Sequence, residues 1–496
     1  MVLYLNDHRF MYELEKLSRL FLPFEKFVGA ESTEDARNSQ VYIIAELTYG
    51  DDEVGILTEL KLDGKHEKRE KIVAIKRDDP DEFTVCERTV ALMLFDCFKT
   101  VTGYSTPWGI LTGVRPAKLL GKLVNSSSET EALEYFENAL LVSKEKTKLC
   151  LECNRSERSI ISRSRPDSFS LYVSIPFCPS RCNYCSFVSH SVEQAKKLIP
   201  RYVELLCREI KETAYISKRL GLRLQTVYIG GGTPTTLSAE QLNEIMGTIK
   251  ENFDLSYLDE YTVEAGRPDT VTEDKLLAIK QGGATRISIN PQTMNDEVLK
   301  NIGRRHTVSE TVEAFDLARK CGFDNINTDL IAGLSGDTLE SFCNSVDEII
   351  KLQPENVTVH TLSMKRASNL NKSCTVFDSE EGKIAESMVA YAYQKLSDAG
   401  ITPYYMYRQS KTVGNLENVG YAKPGFEGLY NVYIMDETHT ILACGASAVT
   451  KLREPGGPYI ERIFNFKYPY EYIERFDLLL ERKSGIFEFY EQYGLK

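Results

Sequence analysis

No run of about 18 apolar residues, the length that suggests a membrane span, occurs anywhere in this 496-residue sequence. The first 24 residues are interrupted by Asp7, Glu13 and Glu15, so they lack the unbroken apolar centre of an export signal. No membrane partner is expected, and a cytoplasmic location is. Basic excess is missing too. Lys and Arg total 60 against 72 Asp and Glu, a net charge of -12 that no long basic run offsets, which disfavours a nucleic-acid partner. Twelve cysteines are too few for a disulfide scaffold, and a reducing compartment would keep them as thiols available for metal or catalysis. There is no internal repeat and no low-complexity segment. What is present is the usage of a folded globular chain, 42% hydrophobic and 27% charged. At roughly 150 residues per domain the length implies two or three domains.

Residues 1–153 alternate short apolar strands, such as Val41 to Ala45, with an apolar helical stretch near Val90 to Phe98, and read as an α+β domain. Residues 154–168, rich in Ser and Arg, read as a polar linker. From Leu171 the pattern changes to short β-rich runs separated by long amphipathic stretches, the alternation of βα units around a parallel sheet. Six strands are predicted at Leu171 to Ile175, Thr226 to Ile229, Tyr261 to Glu264, Arg286 to Ile289, Asn325 to Leu330 and Asn356 to Thr361. Six units make a partial (βα)6 TIM-like barrel over 169–400, in an α/β chain with an N-terminal α+β domain. Residues 401–496, aromatic and Gly-rich at first, read as a C-terminal cap of mixed structure.

The segment Leu171-Tyr-Val-Ser-Ile-Pro-Phe-Cys178-Pro-Ser-Arg-Cys182-Asn-Tyr-Cys185 places three cysteines at C-x3-C-x2-C directly after an apolar strand. Three thiolates can hold three irons of a cubane and leave the fourth open for a cofactor or substrate. Loops at the C-terminal ends of barrel strands are also where such folds build active sites. The alternative is a zinc site, with His190 as the nearest fourth ligand. Gly230-Gly231-Gly232-Thr233-Pro234-Thr235 follows the second strand. Its glycines allow close backbone approach and Thr233 adds a hydroxyl, although many such loops are only tight connections. Glu264 ends strand three, Gln292 follows strand four and Asp329 interrupts an apolar fifth strand. A carboxylate there is costly to bury without a partner; the two acids are either ligand-binding groups or satisfied buried acids. Lys365 and Arg366 follow strand six, and Arg can pair a carboxylate bidentately; the alternative is a solvated pair. Cys150 and Cys153 form a lone C-x2-C on a helix and read as buried thiols. His360, within an apolar strand, reads as a supporting residue, and Tyr404, Tyr405 and Tyr407 read as core that could also line a flat ligand.

With these motifs in place, residues from about 168 to 455 resemble the radical S-adenosylmethionine (SAM) superfamily, and within it the oxygen-independent coproporphyrinogen III oxidase family, closest to its HemZ-type members. The resemblance implies a [4Fe-4S] cluster on Cys178, Cys182 and Cys185. It implies an S-adenosyl-L-methionine site made of Tyr172, near the sulfonium, and Tyr184, near adenine, with Gly231, Gly232, Thr233, Glu264, Gln292, Arg304 and Asp329. It also implies oxidative decarboxylation: a 5'-deoxyadenosyl radical takes hydrogen from a propionate carbon of a tetrapyrrole substrate, an electron acceptor removes the surplus electron, carbon dioxide leaves and a vinyl group remains. Lys365 and Arg366 would face the substrate, and a low-potential donor such as flavodoxin or ferredoxin would supply the electron.

Two departures stand out. Phe187 occupies the position of a fourth cysteine in the well-studied oxidases, which puts a second nearby SAM in doubt, and the first 150 residues have no counterpart in the typical oxidase. Arg115 and Lys118 could reach the barrel opening or lie on the surface. Related haem chaperones carry a His beside an Asn-rich C-terminal motif, whereas the stretch here, Val413-Gly-Asn-Leu-Glu-Asn-Val-Gly420, has none. A radical SAM enzyme acting on RNA is a third reading, opposed by the net charge.

Overall fold

The computed structural model describes residues 1–185, 190–363 and 380–494. The chain divides into two compact units. The first comprises Met1–Leu151, Arg408–Glu417 and the described part of Asn369–Glu386. Its sheet contains β1 (Val2–Leu5), β2 (Val28–Gly29), β3 (Tyr42–Tyr49), β4 (Val54–Leu62) and β5 (Lys65–Val73), in the order β2-β1-β3-β4-β5. Asp63 and Gly64, both at positive φ, form the two-residue turn between β4 and β5, the geometry that matches strand twist in a hairpin. Leu3, Leu5, Ile43, Ala45, Ile56 and Leu60 pack on helices Met11–Phe21 and Glu82–Thr102, where the rings of Phe21 and Phe98 stack at 4.5 Å. Trp108, fully buried, donates to Glu417 at 2.8 Å, and Lys146 pairs with the other oxygen of the same carboxylate at 2.6 Å.

The second unit comprises Glu152–Ser368, as far as it is described, with Ser387–Tyr407 and Asn418–Lys496. Its parallel strands are β6 (Ser168–Ile175), β9 (Arg223–Gly231), β10 (Glu260–Gly266), β11 (Arg286–Ile289), β12 (Ile326–Ala332) and β13 (Asn356–Thr361), with the short pair β7 (Phe177–Cys178) and β8 (His190–Ser191) beside the cysteines. These are the six expected barrel strands, joined by helices that include Ala239–Asn252, Glu273–Gln281, Val308–Lys320 and Leu339–Lys351. Leu171, Val173, Val227, Ile229, Val263 and Ile287 pack outward under the helices. The alternating residues Tyr172, Tyr228 and Glu264 therefore face inward.

The C-terminal region extends this sheet at both ends rather than standing apart from it. After β14 (Thr402–Arg408), β15 (Glu417–Ala422) runs antiparallel to β13. At the other end β16 (Thr440–Cys444) lies parallel to β6, followed by β17 (Val449–Arg453) and β18 (Ile460–Phe464). The segment expected as a polar linker also differs, because Asn154 to Ile161 continue the helix Lys144–Ile161 and β6 begins at Ser168. That helix buries Lys146, Cys150, Cys153, Glu157 and Ile160 at three- and four-residue spacing, and its polar members hide the periodicity in the sequence. Cys150 and Cys153 are thus buried thiols of a helix. No described helix is long and apolar enough to cross a membrane.

One buried acid ties the C-terminal helices to the barrel. Glu209 accepts from Gly445 N at 2.7 Å, the Tyr472 hydroxyl at 2.7 Å and Asn465 at 2.8 Å, and it pairs with Lys483 at 3.1 Å. Burial works against the Lys483 ammonium, and Glu209 more than offsets it, so its pKa rises. Glu209→Ala leaves that ammonium buried and unpaired and should cost about 3–5 kcal/mol. Chemical denaturation, with faster amide exchange in residues 440–484, checks this; a loss below about 1 kcal/mol would refute it.

Candidate functional site

The loop after β6 carries the three cysteines. Cys182 is buried, while Cys178 and Cys185 are partly exposed. Thr233 donates its hydroxyl to the Cys178 sulfur at 3.5 Å, joining the cysteine loop to the glycine loop. The loop is fastened at residues that bear no thiol. Asn183 donates from its backbone to Ile302 O at 3.1 Å and from its side chain to Asn301 O at 3.0 Å. Ser180 donates to Gly303 O at 3.1 Å, and Tyr184 accepts from Arg304 Nη2 at 3.0 Å. Arg304 in turn donates to Asn290 O at 3.0 Å, so Tyr184 and Arg304, expected separately as cofactor contacts, bond one another directly.

The glycine loop at the end of β9 owes its composition to protein contacts. A Cβ at Gly230 would lie 2.7 Å from the Tyr228 ring and 2.9 Å from the Glu264 carboxyl, and one at Gly232 would lie 2.5 Å from Phe177 O. Gly231 has φ +105°, a conformation that side chains rarely adopt. Close approach is therefore required, with strands β6 and β10 as the neighbours.

Glu264 and Asp329 end up on the inner face. Burial raises the Glu264 carboxyl to about 7; donation from Tyr228, at 2.5 Å, opposes the rise and the nearby Asp329 charge adds to it. Burial also pushes Asp329 up, but His360 at 3.8 Å and donation from Asn327 at 2.8 Å hold it below the ordinary carboxylate value. Gln292, at φ +76°, donates from its backbone to Asp329 O and accepts from Ile331 N, each at 2.9 Å. Two half-buried acids on one inner face, one of them pushed up, suit a ligand that brings positive charge.

Tyr172 stacks on Tyr228 and Tyr430 at 6.2 Å each, and Tyr228 and Tyr430 lie 4.5 Å apart. Neither Tyr228 nor Tyr430 was anticipated. Alternation with Val227 and Ile229 would have put Tyr228 on the face of Gly230, but no local signal marks Tyr430. It opens helix Leu429–Asp436, whose first amides, Leu429 N and Tyr430 N, bond the Glu260 carboxylate at 2.6 and 3.3 Å. Tyr404 and Tyr405 are buried core, and Tyr407 reaches His360 at 3.5 Å. His190 packs edge-on against Tyr468 and Tyr470, and no group of three metal-capable side chains converges on a single ion among the described residues. Lys365, Arg366 and Phe187 lie outside the described residues.

A parallel barrel of six βα units whose first loop carries C-x3-C-x2-C defines a radical SAM protein, and the sequence profile of the radical SAM superfamily matches residues 172–349. Over 489 residues the chain is 36% identical to the oxygen-independent coproporphyrinogen-III oxidase-like protein HemZ of Bacillus subtilis (strain 168), a match spanning 98% of this chain and 97% of that one. The chain therefore belongs to the HemN/HemZ family of radical SAM proteins. It is also 32% identical over 350 residues to the heme chaperone HemW of the same organism, covering 66% of this chain and 87% of that one. Among solved structures, the Escherichia coli coproporphyrinogen III oxidase HemN, described as a radical SAM enzyme, shares the fold at TM-score 0.51. That match has 22% identity over 64% of this chain and 71% of the other.

The raised Glu264 carboxyl predicts a pH signature. With its folded pKa above the unfolded one, its burial costs nothing below about pH 4.5; the cost grows as pH rises and is complete above about 7. Glu264→Gln abolishes this, so without added ligand the variant should gain about 2 kcal/mol on wild type between pH 5 and pH 8. Parallel denaturant titrations test it; an unchanged difference would show that Glu264 is not desolvated.

Proposed function

We propose that this chain is an oxygen-independent oxidative decarboxylase that converts coproporphyrinogen III to protoporphyrinogen IX. The observation that carries the reading is the grouping, at the strand ends of one barrel, of the thiol loop with the half-buried acids Glu264 and Asp329. Similarity to an oxidase-like protein along the whole chain supports the substrate class.

Cys178, Cys182 and Cys185 would hold a [4Fe-4S] cluster. The donor set fits, because three thiols share one short loop and Thr233 donates its hydroxyl to the sulfur of Cys178. Glu264 would accept from the ammonium of SAM, and Asp329, oriented by His360 and Asn327, from its ribose. Tyr184, held by Arg304, offers a ring face to adenine, and Tyr172 places its ring near the sulfonium. Gly231, Gly232, Thr233 and Gln292 complete that site. When bound, the two cofactors supply one-electron chemistry that begins with hydrogen removal from a substrate propionate. The barrel excludes water around the reacting atoms. Lys365 and Arg366 would bind propionates, and a low-potential flavodoxin or ferredoxin would deliver electrons.

The heme chaperone relatives suggest a second reading. Against it, Glu417 and Asn418, in the stretch that corresponds to the chaperone motif, are buried. Glu417 holds Trp108 and Lys146, and Asn418 accepts from Thr361 N at 2.9 Å.

Anaerobically reconstituted protein should carry close to four irons per chain, and Ala at Cys178, Cys182 or Cys185 should abolish stable assembly while Ala at Cys150 or Cys153 does not. With coproporphyrinogen III, SAM and reductant, mass analysis should show loss of two carboxyl groups. Glu264→Ala and Asp329→Ala should keep the iron and weaken SAM binding about tenfold to hundredfold, the range of a lost charge-assisted hydrogen bond. Heme transfer without vinyl product would overturn the oxidase reading, and stoichiometric zinc would overturn the cluster.

A further inference from the structure

A cysteine loop that is to receive a cluster faces two costs before any iron arrives. Its residues must be ordered, at roughly 1–2 kcal/mol each, and its thiolates repel one another as they gather. Something other than the thiols has to hold the shape. At the middle of the loop, between Cys178 and Cys182, Arg267 donates through Nη1 to both the Ser180 hydroxyl, at 2.8 Å, and the Ser180 carbonyl, at 3.2 Å. Its other face is locked by Asp269, which accepts from Nε and Nη2 at 3.1 Å each. This side chain is 4% exposed, and it follows Gly266, whose φ of +62° turns the chain out of β10. The Ser180 hydroxyl accepts from Arg267 and donates to Gly303 O, so one short residue couples the end of β10, the cysteine loop and the turn that precedes Arg304.

We propose that Arg267, clamped by Asp269, is a positioning residue that presets the cysteine loop through Ser180, so that the three thiols stand in their ligating arrangement in the metal-free chain. This rests on the cluster reading above. Arg267 need not touch a cluster; its planar fork provides direction, which is why a point charge cannot fully replace it.

The test uses metal-free full-length protein under reducing, anaerobic conditions, with maleimide labelling resolved by peptide mass analysis. Cys182 is the reporter, and the buried Cys207 and Cys444 report global opening. Arg267→Gln should accelerate Cys182 labelling about tenfold to hundredfold, the span of a lost charge-assisted hydrogen bond. Cys207 and Cys444 should stay at the wild-type rate. Arg267→Lys should fall between the two. After reconstitution with iron and sulfide, chelator should strip iron from Arg267→Gln at least several times faster than from wild type. Equal Cys182 labelling in wild type and Arg267→Gln overturns the proposal. If Arg267→Gln opens globally, Ser180→Ala decides, since it keeps the Arg267–Asp269 pair and removes only the shared hydroxyl. Faster labelling of Cys182 alone supports the proposal, and an unchanged rate defeats it. Failure of the wild type to take up iron would sink the cluster reading and leave the labelling result standing.

Discussion

Two half-buried carboxylates on the inner face of one barrel set the terms for everything around them. Glu264 and Asp329 cannot both carry charge there without compensation, and the neighbouring side chains read as that compensation. Tyr228 donates to one acid, Asn327 and His360 attend the other, and Gln292 adopts a left-handed backbone to bond the strand that bears Asp329. Even the glycine loop answers to this need. Gly230 has no side chain because Tyr228 and Glu264 occupy the space where one would go.

The barrel can support such an interior because its outer face is secured separately. Alternation sends Leu171, Val173, Val227, Ile229, Val263 and Ile287 under a shell of amphipathic helices, which releases the inward positions for polar and aromatic groups. The aromatic group of Tyr172, Tyr228 and Tyr430 then lines the same inner face that carries the acids, and Glu260 anchors the helix that supplies Tyr430. A fully bonded buried acid, Glu209, performs the matching task outside, tying β16 and the last helices to the helical layer. Polar and aromatic groups and the packed apolar core are thus assigned to opposite faces of the same strands.

Much of this was legible beforehand where the signal was local. The parallel strands emerged from short apolar runs spaced by amphipathic stretches, and helices such as Val308–Lys320 ended where their periodicity ended. The cysteine spacing and the strand-terminal acids marked the site. Legibility failed where burial and polarity disagreed. The helix Lys144–Ile161 hides Glu157 among its buried positions, so its last part, from Asn154, reads as a linker. The Asp63-Gly64 turn was readable from its residue types and was missed.

The sequence by itself determined the alternation of strands and helices, the spacing of the three thiols and the positions of the acids at strand ends, because each depends on neighbours a few residues away. Only the tertiary structure decided which groups serve those residues. Arg267 reaches Ser180 across 87 positions, Arg304 reaches Tyr184 across 120 and Glu260 captures Leu429 across 169. The extension of the sheet by β15 and β16 was decided in the same way. Hydrogen bonding acts over about 3 Å whatever the distance along the chain, so the partners of a site become visible only when the fold has brought the strands together.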